Sequence, residues 1–186
     1  MRIIQIGTNK GNDDLTIIVK NINPSDIDLL VFVEPLSYCN EDIKSCYTGY
    51  NFHIENSVIS NDPTKEFETF YTSDTYHRLS SLNKDHIKNH GLDTVVNELT
   101  VPALSINNLL DKYGVTELDI LFVDAESFDH EIIKSIDFNK YKIDKIYYEN
   151  VHGENHLLHE YLIPLGYEVH KCDFHDGLTN VAELKK

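Results

Sequence analysis

Short apolar runs recur along the chain, separated by segments in which apolar residues return every three to four positions. The runs predict buried strands over residues 3–6, 29–33, 119–123 and 144–148. Shorter strands are predicted over residues 51–55, 66–71, 95–101, 167–170 and 178–182, with Pro102 ending the third of these. The helical spacing predicts helices over residues 13–20, 37–46, 105–113, 129–136 and 154–165. Strands that alternate with helices predict an α/β fold, with a mostly parallel central sheet and helices on both of its faces.

One polar stretch, over about residues 73–92, interrupts this alternation. It is rich in Ser, Asp, His, Asn and Lys and is predicted to form an insertion with at most one helical turn. Stretches of this size in a compact domain are usually functional or mobile. We expect the 186 residues to form a single domain over residues 1–186, which is also compatible with a piece cut from a longer protein.

Four of the predicted strands end in residues that suit ligand binding. The first strand runs into a turn with glycine at its start, Gly7. The strands over residues 29–33, 119–123 and 144–148 are followed by Glu34, Asp124 and Glu149. In an open parallel sheet, ligands lie beyond the carboxyl ends of the strands. The four strand ends therefore predict one ligand site at this edge of the sheet.

The glycine turn distinguishes between nucleotide ligands. A dinucleotide-binding turn has the spacing Gly-x-Gly-x-x-Gly, which seats a pyrophosphate at a helix N-terminus. Here Asn9 takes the middle position and no third glycine follows Gly11. The turn therefore favours a nucleoside without a pyrophosphate, such as S-adenosylmethionine. The amino-acid end of that cofactor would approach Gly7, Asn9 and Gly11, and Gln5 would offer its amide at the strand tip.

The next two strand ends supply candidates for the nucleoside itself. Glu34 is placed to accept hydrogen bonds from the ribose hydroxyls. Asn56, Ser57 and Val58 follow the third strand, where an adenine ring would lie. Simpler interpretations remain open: an acid such as Glu34 also suits a helix N-terminus, and Asn and Ser are common turn formers.

Composition and charge restrict the partners. Sixteen basic residues against 31 acidic ones give a formal net charge of −15, which disfavours nucleic acid and anionic membranes. No apolar run reaches the length of a membrane span, and the N-terminus does not resemble a signal peptide. Cys39, Cys46 and Cys172 form no C-x-x-C motif, and Cys39 and Cys46 are expected to be buried thiols. A cytoplasmic protein acting on small molecules is the default expectation, and the sequence does not indicate the oligomeric state.

Six motifs occur in order along the chain and together resemble a known family. They are Ile6-Gly-Thr-Asn-Lys-Gly11, Val33-Glu34-Pro35, Glu55-Asn-Ser-Val-Ile-Ser60, Val101-Pro-Ala-Leu-Ser105, Asp119-Ile-Leu-Phe-Val-Asp-Ala-Glu126 and Tyr148-Glu149. In order and spacing they resemble the FkbM-type methyltransferase family, from Ile3 to about Tyr167. The resemblance implies a Rossmann-like class I methyltransferase fold that binds S-adenosylmethionine. It also implies methyl transfer to a hydroxyl, often on a sugar or a polysaccharide precursor.

The resemblance extends to a branch of the family and includes two departures. Gln before the glycine turn, and Ser80-Ser81 followed by His86, look similar to that branch. The family motif Asp-x-Glu-Gly ends here in Ser127, so a backbone freedom given by glycine is lost. The frequent Glu-His after the fifth strand is replaced by Asn150 as its second residue, with His152 two positions on.

Methyl transfer to a sugar hydroxyl needs a base or a metal, because the hydroxyl is a poor nucleophile. Asp124, which is also expected to contact the cofactor, and Glu126 and Glu149 are candidate catalytic residues, with His86 reaching the acceptor from the polar insertion. Alternatively, Asp124, Glu149 and His152 hold Mg²⁺ or Mn²⁺. The competing interpretations are that Asp124 and Glu126 cap a helix and that His86 is solvated.

The sequence thus predicts an S-adenosylmethionine-dependent O-methyltransferase acting on a saccharide or another small molecule. One alternative is a cofactor-binding module that has lost catalysis within a glycan-modifying protein, which the departures at Ser127 and Asn150 motivate. The other is an NAD(P)-dependent oxidoreductase. The missing glycines disfavour it, as does the absence of a Tyr-x-x-x-Lys pair, since Tyr141 and Lys142 are adjacent.

Overall fold

A computed structural model of the chain describes residues 1–73, 77–89, 96–150, 155–172, 174 and 177–185. The strands are β1 (Arg2–Ile6), β2 (Leu29–Val33), β3 (His53–Glu55), β4 (Val58–Ile59), β5 (Phe67–Ser73), β6 (Val96–Leu104), β7 (Glu117–Val123), β8 (Lys142–Glu149), β9 (Tyr167–Lys171) and β10 (Thr179–Leu184). The α-helices are α1 (Asp14–Lys20), α2 (Asn40–Cys46), α3 (Lys84–Asn89), α4 (Ile106–Lys112), α5 (Asp129–Lys134) and α6 (Leu158–Leu162). Short 3₁₀ helices cover Pro24–Asp26, Ser37–Cys39, His77–Leu79, Asn155–Leu157 and Ile163–Leu165.

Seven of the strands form the central sheet, in the order β3-β2-β1-β7-β8-β10-β9. The five strands from β3 to β8 pair in parallel, and β10 lies antiparallel between β8 and β9. The predicted α/β fold with a mostly parallel central sheet is therefore confirmed. Because β1 lies in the middle, the turn that follows it opens between the carboxyl ends of β2 and β7.

Helices cover both faces of this sheet, because successive strand residues point to opposite sides. Ile4 of β1 and Leu121 of β7 pack on one face within an apolar cluster that includes residues of α4, α5 and α6. Ile3 and Phe32 pack on the other face with residues of α1 and α2. Within the described residues, no helix is both long and apolar enough to cross a membrane.

Three strands form a small second sheet, in the order β4-β6-β5. The predicted end of its middle strand, β6, was wrong. Pro102 was expected to end β6, but the strand continues to Leu104. The N–H of Ala103 donates to the carbonyl oxygen of Glu66 (2.9 Å), the residue just before β5 begins. The ring nitrogen of Pro102 therefore faces the opposite edge, where pairing with β4 begins only at Ala103. A proline is tolerated there because no hydrogen bond is required of it.

Two predicted helical segments also differ from the structure. In place of the helix expected over residues 154–165, the structure has the short α6 with a 3₁₀ helix on each side. Pro164 cannot donate a helical hydrogen bond, so the α-helix does not continue through it. Glu154 lies outside the described residues. The polar stretch at 73–92 contains the 3₁₀ helix His77–Leu79 and the six-residue α3, which is more helix than the single turn expected. Residues 74–76 and 90–92 of that stretch are outside the described part.

The turn after β1 depends on a close backbone approach at Gly7. Gly7 has a φ of 79°, and its N–H donates to Val33 O (3.0 Å). A Cβ placed on Gly7 would lie 1.8 Å from the carbonyl oxygen of Asp124. No side chain fits at this distance, so β1, β2 and β7 meet closely here only because residue 7 is glycine.

Replacing Gly7 by alanine should destabilise the protein far more than the same change at Gly49. Gly49 also has a positive φ, 91°, but no atom lies within 4 Å of an added Cβ. Gly49→Ala should therefore cost only the backbone strain, about 1–2 kcal/mol. Gly7→Ala adds overpacking against Asp124, for a total of at least about 3 kcal/mol, up to failure to fold. Urea unfolding monitored by circular dichroism measures both, and equal losses would contradict the close approach.

Candidate active site

Two adjoining cavities lie at the carboxyl ends of the central strands. The first, about 650 Å³ and here called the apolar cavity, is lined mainly by apolar side chains, including Leu36, Val58, Ile59, Phe70, Leu82 and Phe128. The second, about 980 Å³ and here called the acidic cavity, is lined among others by Thr8, Asn12, Asp13, Asp14, Glu149 and Thr179. Five residues line both cavities: Gly7, Asn9, Arg78, Asp124 and Glu126. The cavities therefore form one cleft with an apolar end and an acidic end.

Glu34 lies at the tip of β2 in the wall of the apolar cavity and is 5% exposed. One carboxylate oxygen accepts from the N–H of Asn9 (2.7 Å) and the other from the N–H of Leu36 (2.9 Å). Burial raises the pKa of Glu34 to about 7, against the effect of these two hydrogen bonds. Each oxygen keeps a second lone pair, so this fixed carboxylate can still accept hydroxyl protons from a ligand.

Of the other residues predicted to bind the cofactor, Val58 and Ser57 line the apolar cavity. Asn56 instead donates from its amide to Glu34 O (2.8 Å) and pairs through both amide atoms with Asn40. It does not line either cavity, and its contacts hold the end of β3 against α2 and the backbone of Glu34. Its position supports a structural role.

Gln5 and Gly11 also lie behind the cleft wall. The side chain of Gln5 is fully buried, and its amide nitrogen donates to Asp13 Oδ2 (2.6 Å). Asp13, which caps α1 and lines the acidic cavity, has its pKa raised to about 6, chiefly by burial. Gly11 packs against α2, where an added Cβ would lie 3.2 Å from the ring of Tyr47. Gln5 thus orients an acid of the cleft.

Three buried polar atoms in the cleft wall have no hydrogen-bond partner in the described part of the chain. They are Thr8 Oγ1, Asn9 Oδ1 and Ser57 Oγ. A buried polar atom without a partner is costly, and its satisfaction by a bound polar molecule is one explanation. These atoms follow β1 and β3, on either side of the tip of β2. Their positions fit a ligand with polar groups along its length, as a nucleoside with an amino-acid tail has.

The loop after β7 brings carboxylates into the cleft. The N–H of Asp124 donates to Ile6 O (2.9 Å), which fixes the start of this loop beside the glycine turn. Burial raises the pKa of Asp124 well above its usual value, and nearby Glu126 and Glu149, with Asp13 and Asp129, raise it further. Carboxylates packed in this way compete for protons, so Asp124 is a stronger base than an exposed aspartate.

Glu126 and Ser127 both have left-handed backbone conformations, with φ values of 49° and 74°. The sequence indicated that Ser127 had lost the freedom that glycine provides, but the turn keeps the glycine-like conformation with a serine in it. Ser81 stabilises this turn, because its hydroxyl donates to the carbonyl oxygen of Glu126 (2.7 Å). Ser127 therefore adopts the left-handed conformation that favours glycine, at a cost in backbone strain.

His86 is buried and lies beside Glu126, contrary to the interpretation of it as a solvated histidine. Its Nε2 is 2.9 Å from Glu126 Oε2, and its side chain is 3% exposed. Glu126 lines both cavities, whereas His86 lines neither. The two residues come from different parts of the chain, and their contact places an imidazole directly behind a cleft carboxylate.

Glu149 lines the acidic cavity beside Thr179, its partner on β10. His152, the third residue of the predicted metal site, lies outside the described residues. Among those described, no group of three His, Cys, Asp or Glu residues is arranged to hold a metal ion. The metal site remains a prediction without support from the described geometry.

Sequence reasoning did not select several residues that line the cleft. Asp13 and Asp14 were assigned to the start of a helix, although an acid directly after a glycine turn also faces the ligand side. Phe70 comes from the second sheet, whose position over the cleft had no signal in the sequence. The sequence offered Arg78 only as one of several polar loop residues that could contact a sugar, and the fold places it where both cavities meet.

The sequence matches the family described as Methyltransferase FkbM domain over residues 5–174. No curated protein matches the chain significantly. Among solved structures, it is similar to the SeMet-substituted CurJ carbon methyltransferase, with a TM-score of 0.46 and 9% sequence identity. That similarity covers 100% of this chain and 49% of the other, so this chain spans about half the length of that protein.

The raised pKa of Glu34 should make the ligand-free protein less stable as the pH rises. The pKa of Glu34 is about 7 in the folded protein against 4.5 for an unperturbed glutamate, so the folded state holds the proton more tightly. Its stabilising effect is therefore complete below about pH 4.5 and is lost as the pH rises to about 7, by up to about 3 kcal/mol.

Thermal unfolding of the wild type and Glu34→Gln between pH 4.5 and 8 measures this contribution. Because glutamine does not titrate, the variant should lose less stability than the wild type over this range. Glu160→Gln, at an exposed position on α6, is the matched control and should follow the wild type. Identical pH profiles for all three proteins would show that Glu34 is not the titrating group.

Proposed function

The chain belongs to the FkbM methyltransferase family, and we propose that it is an S-adenosylmethionine-dependent O-methyltransferase that methylates a sugar hydroxyl of a glycan or a glycan precursor. Family membership supports methyl transfer. The identity of the methyl donor, the methylation of a hydroxyl and the saccharide acceptor go beyond family membership and are proposed here. The assignment of S-adenosylmethionine as the donor is argued from the residues that line the cleft.

The observation that carries the proposal is that one continuous cleft is apolar at one end and acidic at the other. At the apolar end, Glu34 and Ser57 provide polar atoms beside apolar walls, which suits an adenosine. At the other end, the acidic cavity begins at the Gly7 turn and suits a charged amino-acid tail. S-adenosylmethionine has these two parts joined by its sulfonium, and Asp124 lies where the two cavities meet.

Electrostatics favour this cofactor over a dinucleotide. Five carboxylates line the acidic cavity: Asp13, Asp14, Asp124, Glu126 and Glu149. They attract the cationic sulfonium and ammonium groups of S-adenosylmethionine, whereas the pyrophosphate of NAD(P) would be repelled at short range in a poorly solvated site. The charge of the cleft therefore adds to the missing glycines as an argument against the oxidoreductase alternative.

The residues of the cleft have separable roles in this proposal. The bound cofactor supplies an electrophilic methyl carbon attached to sulfur. Glu34 holds the ribose hydroxyls, and the Gly7 turn allows the amino-acid end to approach the backbone. Asp124, whose pKa is raised, accepts the proton of the acceptor hydroxyl as that oxygen attacks. Glu126, backed by His86, is the second carboxylate beside the reacting groups. Holding the hydroxyl about 3 Å from the methyl carbon supplies much of the rate.

We expect the protein to bind S-adenosylmethionine and S-adenosylhomocysteine with micromolar affinity and to show no comparable binding of NAD(P). Glu34→Gln should weaken both interactions by about 10- to 100-fold, because a hydrogen bond to a charged group contributes about 1.5–3 kcal/mol. Isothermal titration calorimetry measures these affinities, with Glu160→Gln as the control variant. Absence of binding of either sulfur nucleoside would refute the cofactor assignment.

Asp124→Asn should lower methyl transfer by about 100-fold or more, because it removes the proposed base, while S-adenosylhomocysteine still binds. Transfer of a labelled methyl group to a panel of mono- and oligosaccharides measures turnover, and retained cofactor binding separates lost chemistry from misfolding. Addition of EDTA to the wild-type assay tests the predicted metal. If Asp124→Asn turns over a confirmed acceptor at the wild-type rate, Asp124 is not the base. If cofactor binds but no saccharide is methylated, the alternative of a catalytically impaired module gains support.

A further inference from the structure

Arg78 stands out in the charge distribution of the cleft. It is the one cationic residue among the described residues that line the two cavities, and it lines both of them. It is exposed, and within the described part of the chain it forms no ion pair and no side-chain hydrogen bond. The two lysines of the following helix are each paired instead, Lys84 with Glu98 (2.6 Å) and Lys88 with Asp85 (3.3 Å). The guanidinium of Arg78 is therefore available to a ligand.

The backbone that carries Arg78 is held in place. Arg78 lies in the 3₁₀ helix His77–Leu79, and Ser81 is the second residue after this helix. The N–H and carbonyl of Ser81 both pair with Tyr71 of β5 (3.0 and 2.9 Å), and its hydroxyl donates to Glu126 O (2.7 Å). These hydrogen bonds join the segment to the second sheet and to the loop after β7. The backbone of Arg78 is thereby held where the two cavities meet.

The charge around Arg78 restricts what it can bind. Five carboxylates line the acidic cavity, so an anionic group of a ligand is repelled everywhere in it except beside a cation. Arginine presents a rigid planar fork of N–H donors that matches a carboxylate or a phosphate with two parallel hydrogen bonds. Asp14 and Glu149, by contrast, have no hydrogen-bond donor when they are ionised and can then only accept.

We propose that Arg78 is the anion-binding residue of this cleft and binds the acidic group of its ligand where the two cavities meet. The inference rests on the proposed function, since the ligand is either the cofactor or its acceptor. The acidic group is the carboxylate of the cofactor's amino-acid end or an acidic group of the acceptor, as in a uronic acid or a sugar phosphate. In the second case Arg78 selects anionic over neutral saccharides.

Calorimetry with four proteins distinguishes these sources: wild type, Arg78→Gln, Arg78→Lys, and the control Lys88→Gln, which removes the same charge from the same segment outside the cavities. The first arm compares S-adenosylhomocysteine with 5′-methylthioadenosine, which lacks the amino-acid carboxylate. If Arg78 binds the cofactor, Arg78→Gln should weaken S-adenosylhomocysteine by about 10- to 100-fold and leave 5′-methylthioadenosine unchanged. Arg78→Lys should recover part of the loss, because it restores the charge without the planar fork.

The second arm titrates D-glucuronate, D-glucose 6-phosphate and neutral D-glucose into protein saturated with S-adenosylhomocysteine. If Arg78 binds the acceptor, the wild type and Lys88→Gln should bind at least one anionic sugar about tenfold or more tightly than glucose, and Arg78→Gln should lose that preference. Unchanged cofactor affinity together with no preference for either anionic sugar would overturn the proposal.

Failure of the proposed function has a different signature, because the wild type would then bind neither nucleoside. The sugar titrations on the protein alone would still test Arg78 in that case. Matching thermal unfolding midpoints for the four proteins show that the comparison is made on folded protein.

Discussion

The site depends on the contact between the glycine turn and the loop after β7. The backbone of Gly7 bonds to β2 through Val33, and the backbone of Asp124 bonds to β1 through Ile6. With only a hydrogen on the α-carbon of Gly7 facing it, the carbonyl of Asp124 can lie where any side chain would collide. Three strand ends thereby meet at one point, and the residues after each of them face the same cleft. The positions of Glu34, Asp124 and Asn9 all follow from that approach.

The cleft concentrates negative charge that the free protein holds at a cost. Burial raises the pKa values of Asp13, Glu34 and Asp124, and the acidic neighbours of Asp124 raise its pKa further. A protein has little reason to keep carboxylates in such surroundings for stability alone, since apolar residues would fill the space without the desolvation penalty. A cationic ligand offsets that penalty, and its charge is then recognised by groups already in position. Perturbed acids in a cleft are accordingly a common feature of catalytic sites.

The segment between β5 and β6 adds a second wall to the cleft. Ser81 joins it to Glu126, and His86 lies directly behind the Glu126 carboxylate. Ser127 holds a left-handed conformation in the same turn, without the glycine of the family motif. The same segment also brings Arg78 to the junction of the cavities. A stretch that the sequence presents as polar and irregular thus contributes both an orienting contact and a positive charge.

The architecture could be predicted from the sequence alone, and so could the acids that follow the central strands. Hydrophobic periodicity is a local property of a strand or helix, so the sequence predicted the strands around Ile4 and Leu121 and the acids that follow them. It thereby also predicted the edge of the sheet at which the cleft lies. Which side chains line the cleft depends on the three-dimensional packing. Gln5 and Asn56 turn away from the cleft to bond Asp13 and Glu34, Pro102 stays within a strand because its nitrogen meets no partner, and His86 is buried against a residue 40 positions away in the chain. Such contacts join residues distant in sequence, and a local pattern does not encode the distance between them.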